Sequence, residues 1–168
     1  MANRMANHIP GRTAPAPRSN ASNPVYRGGD ERPRRDDEPT IDTSRIRFGD
    51  QIAPTLYSDV AEAAARSIAD TSMRDANKGT QLRRFYDELV MLQGKVGNSE
   101  ERFQAHAPYI QMLKAKVAYA MGRKKVDGNF DRLLRHVVDQ ATDHRSLAQA
   151  KLFMEAFMAF YKVHRPQD

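Results

Sequence analysis

Two adjacent arginines near the start of a predicted helix are the residues best placed to do chemistry. Arg83 and Arg84 follow Thr80, a predicted helix N-cap whose hydroxyl would accept a free backbone amide. The positive end of the helix dipole favours acidic residues at this position, so two cations gain nothing locally. Ion pairs with Asp87 and Glu88, four residues on, would contribute only about 0.2–0.5 kcal/mol. The arrangement therefore favours binding of an external anion.

A second basic group follows, with six cations and no acidic residue between residues 102 and 125. Capping of a helix C-terminus explains one or two of these charges, and ordinary solvated surface charge is the alternative for the rest. Positive charge on one face attracts any phosphate backbone, so we expect contacts that follow the backbone and do not read bases. The candidate anion-binding residues are Lys78, Arg83, Arg84, Lys114, Lys116, Arg123, Lys124 and Lys125.

Residue patterns typical of catalysis, metal binding or phosphate loops do not occur in the sequence. The densest group of possible ligands is His136, Asp139, Asp143 and His144, and on one helix these side chains would face different directions. The chain has no cysteine, which excludes a disulfide framework and a thiolate site. We therefore expect no enzymatic activity, no metal and no cofactor.

The composition indicates an anionic partner. The formal charge is +6 over 168 residues and the sequence pI is about 9.7, which favours nucleic acid first. No apolar run approaches the roughly 20 residues of a membrane span, and the first residues lack the apolar core of a signal peptide. Together with the lack of cysteine, this predicts a cytoplasmic protein with no membrane partner.

The chain divides into two regions of different composition. Residues 1–50 hold six of the nine prolines and isolated apolar residues without a period, which predicts a disordered tail. Within the tail, only the stretch from Ile41 to Phe48 is expected to order, and then on a partner. Residues 51–168 have helical periodicity and no strand-like alternation, which predicts an all-α helical bundle domain.

Five helices are predicted in the bundle. The third is expected to be kinked or restarted by Pro108. The predicted limits are Thr55 to Ala69, Thr80 to Gly94 or Gly97, Asn98 or Ser99 to Gly122, Asn129 to Ala141, and Ser146 to His164.

Apolar stripes at helical spacing predict the buried faces of these helices. The fifth helix is apolar around most of its circumference, which favours a central core position over a subunit contact. The predicted buried stripes are Leu56, Val60, Ala64 and Ile68; Leu82, Phe85, Tyr86, Leu89 and Leu92; Tyr109, Leu113, Val117 and Ala120; and Phe130, Leu133, Leu134, Val137 and Ala141.

Three segments together resemble the small subunit of type III-A CRISPR–Cas interference complexes, the Csm small-subunit family. Residues 80–89 read TQLRRFYDEL, similar to that family's T-S/T-Q-I/L-R-K-F/Y-x-E segment. Residues 113–123 read LKAKVAYAMGR, similar to L-x-x-K-L-A-Y-A-x-x-R, and residues 153–162 read FMEAFMAFYK, similar to F-x-E-A-x-x-A-Y-H-K. The resemblance covers about residues 55–165, and it departs at Phe160 and Tyr161 and in the longer N-terminal tail.

The resemblance implies a small all-helical protein without enzymatic activity. Several copies would stack beside the backbone subunits of a guide-RNA complex that also contains a large subunit, and cleavage would belong to other subunits. Their basic face would line the channel that holds the guide RNA and its single-stranded target RNA. Arg83 and Arg84 match the family's basic pair, and Lys114, Lys116 and Arg123 match basic positions of the second segment.

Two other functions remain open from the sequence. The first is a helical DNA-binding protein that uses the second or third helix for recognition, although no helix-turn-helix pair stands out. The second is a structural module that dimerises through the fifth helix and binds no nucleic acid.

Overall fold

The computed structural model describes residues 40–166. Residues 1–39 of the predicted tail, which was residues 1–50, lie outside the described residues. Residues 40–166 contain no strand, which confirms the all-α prediction. A π-helical turn leads directly into the first of five helices, which is the predicted number. The turn is Leu56–Val60, and the helices are α1 (Ala61–Ala69), α2 (Gly79–Val96), α3 (Glu100–Gly122), α4 (Gly128–Gln140) and α5 (His144–His164).

Helices α2 to α5 form a closed four-helix arrangement. Helix α3 packs against α2 and α4, and α5 packs against the other sides of the same two helices. The short connections between successive helices make neighbours antiparallel. Helix α1 and the π-helical turn pack on α5, and α1 also contacts α4. In this described region, no helix has the length and apolar character needed to cross a bilayer.

The core confirms most of the predicted stripes. An aromatic series runs through it, with ring centroids of Phe85 and Phe130 5.6 Å apart, Phe130 and Phe157 6.3 Å apart, and Phe157 and Tyr161 5.8 Å apart. Because α5 supplies two of these rings, its central position in the core is confirmed. Its buried large side chains are Leu147, Phe153, Met154, Phe157 and Tyr161, whereas Leu152 and Val163 are exposed.

The buried face of α3 differs from the prediction by one position. Tyr109 was predicted to face inward but is 63% exposed, and Ile110 is buried instead. Leu113 and Val117 are buried as predicted, so the inward face follows spacings of three and four residues from Ile110. Helix α3 therefore carries apolar side chains on its solvent side as well as in the core.

The stretch before the helices packs against the bundle instead of extending from it. Ile41 and Ile46 are buried, and Phe48 lies against Phe153 with ring centroids 6.0 Å apart. The side-chain oxygen of Asn129 accepts the backbone N–H groups of Thr40 and Ile41 at 2.7 and 3.0 Å. Residues 40–50 were predicted to belong to the tail because these apolar residues lack a period. The apolar residues Ile41, Ile46 and Phe48 instead lie next to separate contacts with α4 or α5.

Helix ends agree with the predicted signals at three places. Ser99 caps α3, its hydroxyl accepting the N–H of Arg102 at 3.2 Å. Gly97 ends α2 with φ +57, a conformation that glycine adopts without a steric penalty. Gly122 is the last residue of α3, as predicted.

The predicted cap at Thr80 was wrong, and so was a restart of α3 at Pro108, one of the two outcomes expected there. Thr80 does not cap α2, because the helix begins one residue earlier at Gly79 and no side chain caps it. Pro108 does not restart α3, which is continuous through it. Pro108 is exposed, so the carbonyl left without an N–H partner can bind water.

Candidate nucleic-acid interface

Asn77 joins several helix ends at one end of the bundle. Its backbone N–H donates to the carbonyl of Lys125 at 3.0 Å, and its side-chain oxygen accepts the N–H of Asp127 at 3.0 Å. Its side-chain amide donates to the carbonyl of Ile68 at 3.2 Å, and its own carbonyl accepts the Tyr161 hydroxyl. Asn77 is fully buried with φ +55, a conformation that asparagine tolerates better than most residues. The α1–α2 and α3–α4 loops are thereby fixed side by side next to the end of α5.

Three consecutive cations occupy the α3–α4 loop at this end. Arg123, Lys124 and Lys125 are all exposed, and Lys124 turns the chain with φ +56. Within residues 40–166, none of the three side chains has a carboxylate partner. Lys78 follows Asn77 and lies beside the same loop, with its ammonium 3.2 Å from the carboxylate of Asp75. The end of the bundle around Asn77 therefore combines a fixed backbone with exposed positive charge.

The two adjacent arginines of α2 face different neighbours. Arg83 Nε donates to Asp87 at 2.8 Å, and its guanidinium carbon lies 5.3 Å from the ring centroid of Tyr86. The hydrogen bond to Asp87 raises the pKa of Arg83. Arg84 is exposed and lies one turn before Glu88 on the side of α2 that faces α3. In the described part of the chain Arg84 has no ion-pair partner, so of the two it is the one available to an anion.

Lys114 and Lys116 lie on opposite sides of α3. Lys114 pairs with Asp139 of α4, and Lys116 pairs with Glu88 of α2. Both pairs connect neighbouring helices, and pairs that are partly exposed in this way contribute about 0–1 kcal/mol. These two lysines therefore have a structural role in the bundle, and a phosphate would have to compete with a carboxylate for either of them.

We call Lys78, Arg84, Arg123, Lys124 and Lys125 the basic end. It contains five of the eight residues predicted to bind an anion, and these five lie in or next to the two loops joined by Asn77 or on the first turns of α2. Arg83, Lys114 and Lys116 lie outside it, each paired with a carboxylate.

Tyr119 adds an exposed aromatic ring beside the basic end. It is 66% exposed, the guanidinium carbon of Arg123 lies 5.6 Å from its ring centroid, and Arg123 donates to its hydroxyl at 3.3 Å. Tyr119 lies in the second segment of the family resemblance, residues 113–123, but the sequence gave no reason to single it out. The signal that could have found it is the i, i+4 spacing of tyrosine and arginine on a face opposite the core.

A groove between α2 and α5 brings together cations that the sequence did not connect. Arg83 lines this groove with Lys162 and Arg165, whose positions lie far along the chain. Arg165 donates to the carbonyls of Ala76 and Arg74 at 2.9 and 3.1 Å, and Lys162 donates to a carbonyl at 2.9 Å. The Arg165 contacts fix the end of α5 against the α1–α2 loop, so this cation serves first to close the bundle. The Lys162 bond goes to the carbonyl of Pro166, just beyond the end of α5 itself.

The histidine and aspartate group has structural roles and does not converge. The His136 ring contacts the carbonyl of Ile46 at 2.7 Å, and Asp139 pairs with Lys114. Asp143 caps α5, and its neighbour His144 contacts Glu100. Among the residues that the structure describes, no group of three or more acidic or histidine side chains could hold a metal ion.

Comparison with known families gives one match. A family model described as Csm2 Type III-A matches residues 55–167, from just before the π-helical turn to beyond the end of α5. Comparison with curated proteins gives no match, and comparison with solved structures gives none either. The match covers well over half of the chain and confirms the resemblance seen in the three segments. The chain therefore belongs to the Csm2 Type III-A family, the small subunit of type III-A CRISPR–Cas complexes.

Proposed function

We propose that this chain is a non-catalytic small subunit that binds the backbone of guide and target RNA through its basic end. Several copies would pack beside the backbone subunits of the type III-A interference complex, in the cytoplasm, with the large subunit as a further partner. Family membership supports the place in the complex. The basic end supports the RNA contact.

The observation that carries the RNA proposal is the difference between two sets of cations. Lys124 and Lys125 are exposed on a loop whose backbone is fixed by Asn77, and Arg84 is exposed on the adjoining turns of α2. None of these three side chains has a carboxylate partner within residues 40–166. Fixed, exposed and unneutralised charge favours phosphate, because binding then requires neither breaking an ion pair nor ordering a loop.

The expected contact follows the phosphate backbone and does not select a base sequence. Arginine and lysine neutralise phosphates and release the counterions that surround them, so affinity falls as salt rises. For single strands the slope of log K against log salt concentration is about −0.7 for each phosphate neutralised. Removing three contacts should therefore reduce this slope by about 2.

The test is a salt titration of RNA binding by a triple variant, Arg84→Ala/Lys124→Ala/Lys125→Ala. We expect weaker binding to every single-stranded RNA sequence by a similar factor, with a shallower salt slope. The matched control is Lys95→Ala/Arg102→Ala/Arg145→Ala, which removes the same charge from exposed positions at the other end of the bundle. If both variants lose the same affinity, only net charge matters and the basic end is not the site.

The wild-type protein decides between this function and the alternatives. Absence of RNA affinity at low salt, both isolated and in the complex, would contradict the RNA proposal and favour a purely structural module. Strong preference for one duplex DNA sequence would favour the DNA-binding alternative.

Self-association between copies is proposed on the outer side of α2 and α3. Met91, Tyr109 and Met112 are 48%, 63% and 53% exposed and line one groove between these helices. The sequence left a subunit contact through α5 open as an alternative to a core position, but most of the large apolar side chains of α5 are buried in the core. Exposed apolar side chains that cluster in this way are typical of protein contacts.

A further inference from the structure

We infer that Tyr119, together with Arg123, forms a platform on which an unpaired RNA base stacks. This inference rests on the proposed RNA-binding function and adds a base contact to it. The ligand it assigns is single-stranded RNA with at least one base free of its neighbours.

The solvent side of α3 carries a stripe of residues separated by three and four positions in alternation. Its members are Tyr109, Met112, Lys116, Tyr119 and Arg123. The stripe runs from the apolar groove at Tyr109 to the basic end at Arg123, so its character changes along the helix. Tyr119 lies where the aromatic and cationic parts meet.

The side chain of Tyr119 contributes little to the packing of the bundle. Leu113 and Val117 supply the buried face of α3 around it, whereas Tyr119 is 66% exposed. Among the residues that the structure describes, the only hydrogen bond of its side chain joins its hydroxyl to Arg123, four residues later and just past the end of α3. A large ring that neither fills the core nor links two helices is available to a ligand.

The chemistry of the pair suits a nucleobase. The guanidinium of Arg123 lies over the tyrosine ring, with its carbon 5.6 Å from the centroid. A base can stack on the ring or on the guanidinium plane, and both surfaces accept any base because every base has a π-face. Lys124 and Lys125 follow directly and would hold the phosphates on either side of the stacked base.

Base-paired RNA should not use this platform. In an A-form duplex each base is covered on both faces by its neighbours, so a protein reads such a helix by shape and backbone. The basic end alone would then bind a duplex, and Tyr119 would add affinity only for unpaired bases. Loss of the ring should weaken single-strand binding about tenfold and leave duplex binding unchanged.

The sequence offers a direct spectroscopic test because it contains no tryptophan. In Tyr119→Trp the new residue is the only indole, and base stacking on it should quench its emission when single-stranded RNA is added. Leu152→Trp is the control, since Leu152 is 45% exposed on α5 and belongs neither to the basic end nor to the groove between α2 and α3. Filter binding measures RNA affinity separately in both variants.

We expect quenching by single-stranded RNA in the Tyr119→Trp protein, weaker quenching by the same strand with abasic sites, and no change in the Leu152→Trp protein. RNA that binds without quenching residue 119, or quenches both positions equally, would overturn the inference while leaving the RNA-binding proposal intact. Equal quenching by intact and abasic strands would also overturn it. Lack of RNA binding by the wild-type protein would instead overturn the proposed function, and this inference with it.

Affinity measurements with Tyr119→Ala and Tyr119→Phe complete the test. We expect Tyr119→Ala to lose single-strand affinity selectively and Tyr119→Phe to keep it, because the ring and not the hydroxyl makes the stack. Equal loss of single-strand and duplex affinity in Tyr119→Ala would contradict base stacking.

Discussion

The two ends of the helical bundle are held together by different kinds of hydrogen-bonding groups. At the end around Asn77, a neutral amide and backbone groups make most of the inter-loop hydrogen bonds. At the opposite end, charged and hydroxyl side chains make the connections. Asp143 and Ser146 form a capping box on α5, and His144 contacts Glu100 of α3 at 3.0 Å.

The difference concerns which charged side chains each end uses to hold the fold. At the opposite end the carboxylates of Asp143 and Glu100 lie at helix N-termini, where the helix dipole stabilises them. Helix α2, which begins at the end around Asn77, has no capping side chain and no acidic residue in its first turn. Asn77, a neutral residue, joins the two loops there, so Arg123, Lys124 and Lys125 have no carboxylate partner among residues 40–166, although Arg165 at the same end does bond the α1–α2 loop.

The largest expected effect is that of Asn77→Ala on stability. The substitution leaves the Ile68 carbonyl and the Asp127 N–H buried without partners and places alanine at φ +55. We expect the free energy of unfolding to fall by about 3 kcal/mol, measured by urea denaturation. The opposite end supplies the control, Asn98→Ala, at an exposed position in the α2–α3 loop. That variant should lose less than about 0.5 kcal/mol.

If Asn77→Ala and Asn98→Ala lose equal amounts of unfolding free energy, the hydrogen bonds of Asn77 do not hold that end together and the comparison fails. Asn77→Gly separates two contributions to stability, because it removes the side-chain hydrogen bonds while permitting the positive φ. The difference between the glycine and alanine variants measures the backbone strain of alanine, offset by the larger unfolded-state entropy of glycine.

An intermediate effect is expected for Asp143→Ala at the opposite end. The carboxylate accepts the N–H of Ser146 at 2.7 Å, and loss of such a cap costs about 1 kcal/mol. This hydrogen bond also lowers the pKa of Asp143 below 3.8. A lowered pKa contributes stability above the unfolded value of 3.8, and this contribution disappears as pH falls through the folded pKa.

Urea denaturation at neutral pH and in acid measures this effect. The difference in stability between wild type and Asp143→Ala should narrow as pH falls below 3.8. Asp143→Asn keeps a side-chain acceptor without the charge, so it should lose less than Asp143→Ala at neutral pH. A difference that stays constant into acid would mean that the charge of Asp143 contributes nothing to the cap.

The sequence predicted the features that depend on neighbouring residues. Helix α4 was predicted to within one residue at each end, because its apolar stripe and its polar flanks are local signals. Ser99 and Gly97 were each one of two predicted helix limits for the same reason, and the structure places the limits there. The family resemblance also rested on short contiguous segments and was confirmed.

Features that depend on distant partners could not be predicted in this way. Ile41 and Ile46 are buried by contacts with helices far along the chain, and no local periodicity in the sequence predicts their burial. Arg83 and Arg84 were treated as one pair because they are adjacent, but adjacent residues on a helix diverge by about 100° and here face α5 and α3. Asn77 gained its role from four contacts that only the folded chain brings together.

The smallest expected effect is that of Glu100→Gln, which tests whether the inter-helix pair or the cap holds the opposite end. His144 and Gln104 donate to the Glu100 carboxylate and lower its pKa below 4.5. The stability from this pair is therefore present above pH 4.5 and is lost as pH falls through the folded pKa. Because Glu100 is exposed, its contribution should be smaller than that of the Asp143 cap and should fall further in high salt. A Glu100→Gln variant that loses as much stability as Asp143→Ala in urea denaturation would show that the contact between α3 and α5, and not the cap of α5, holds that end of the bundle.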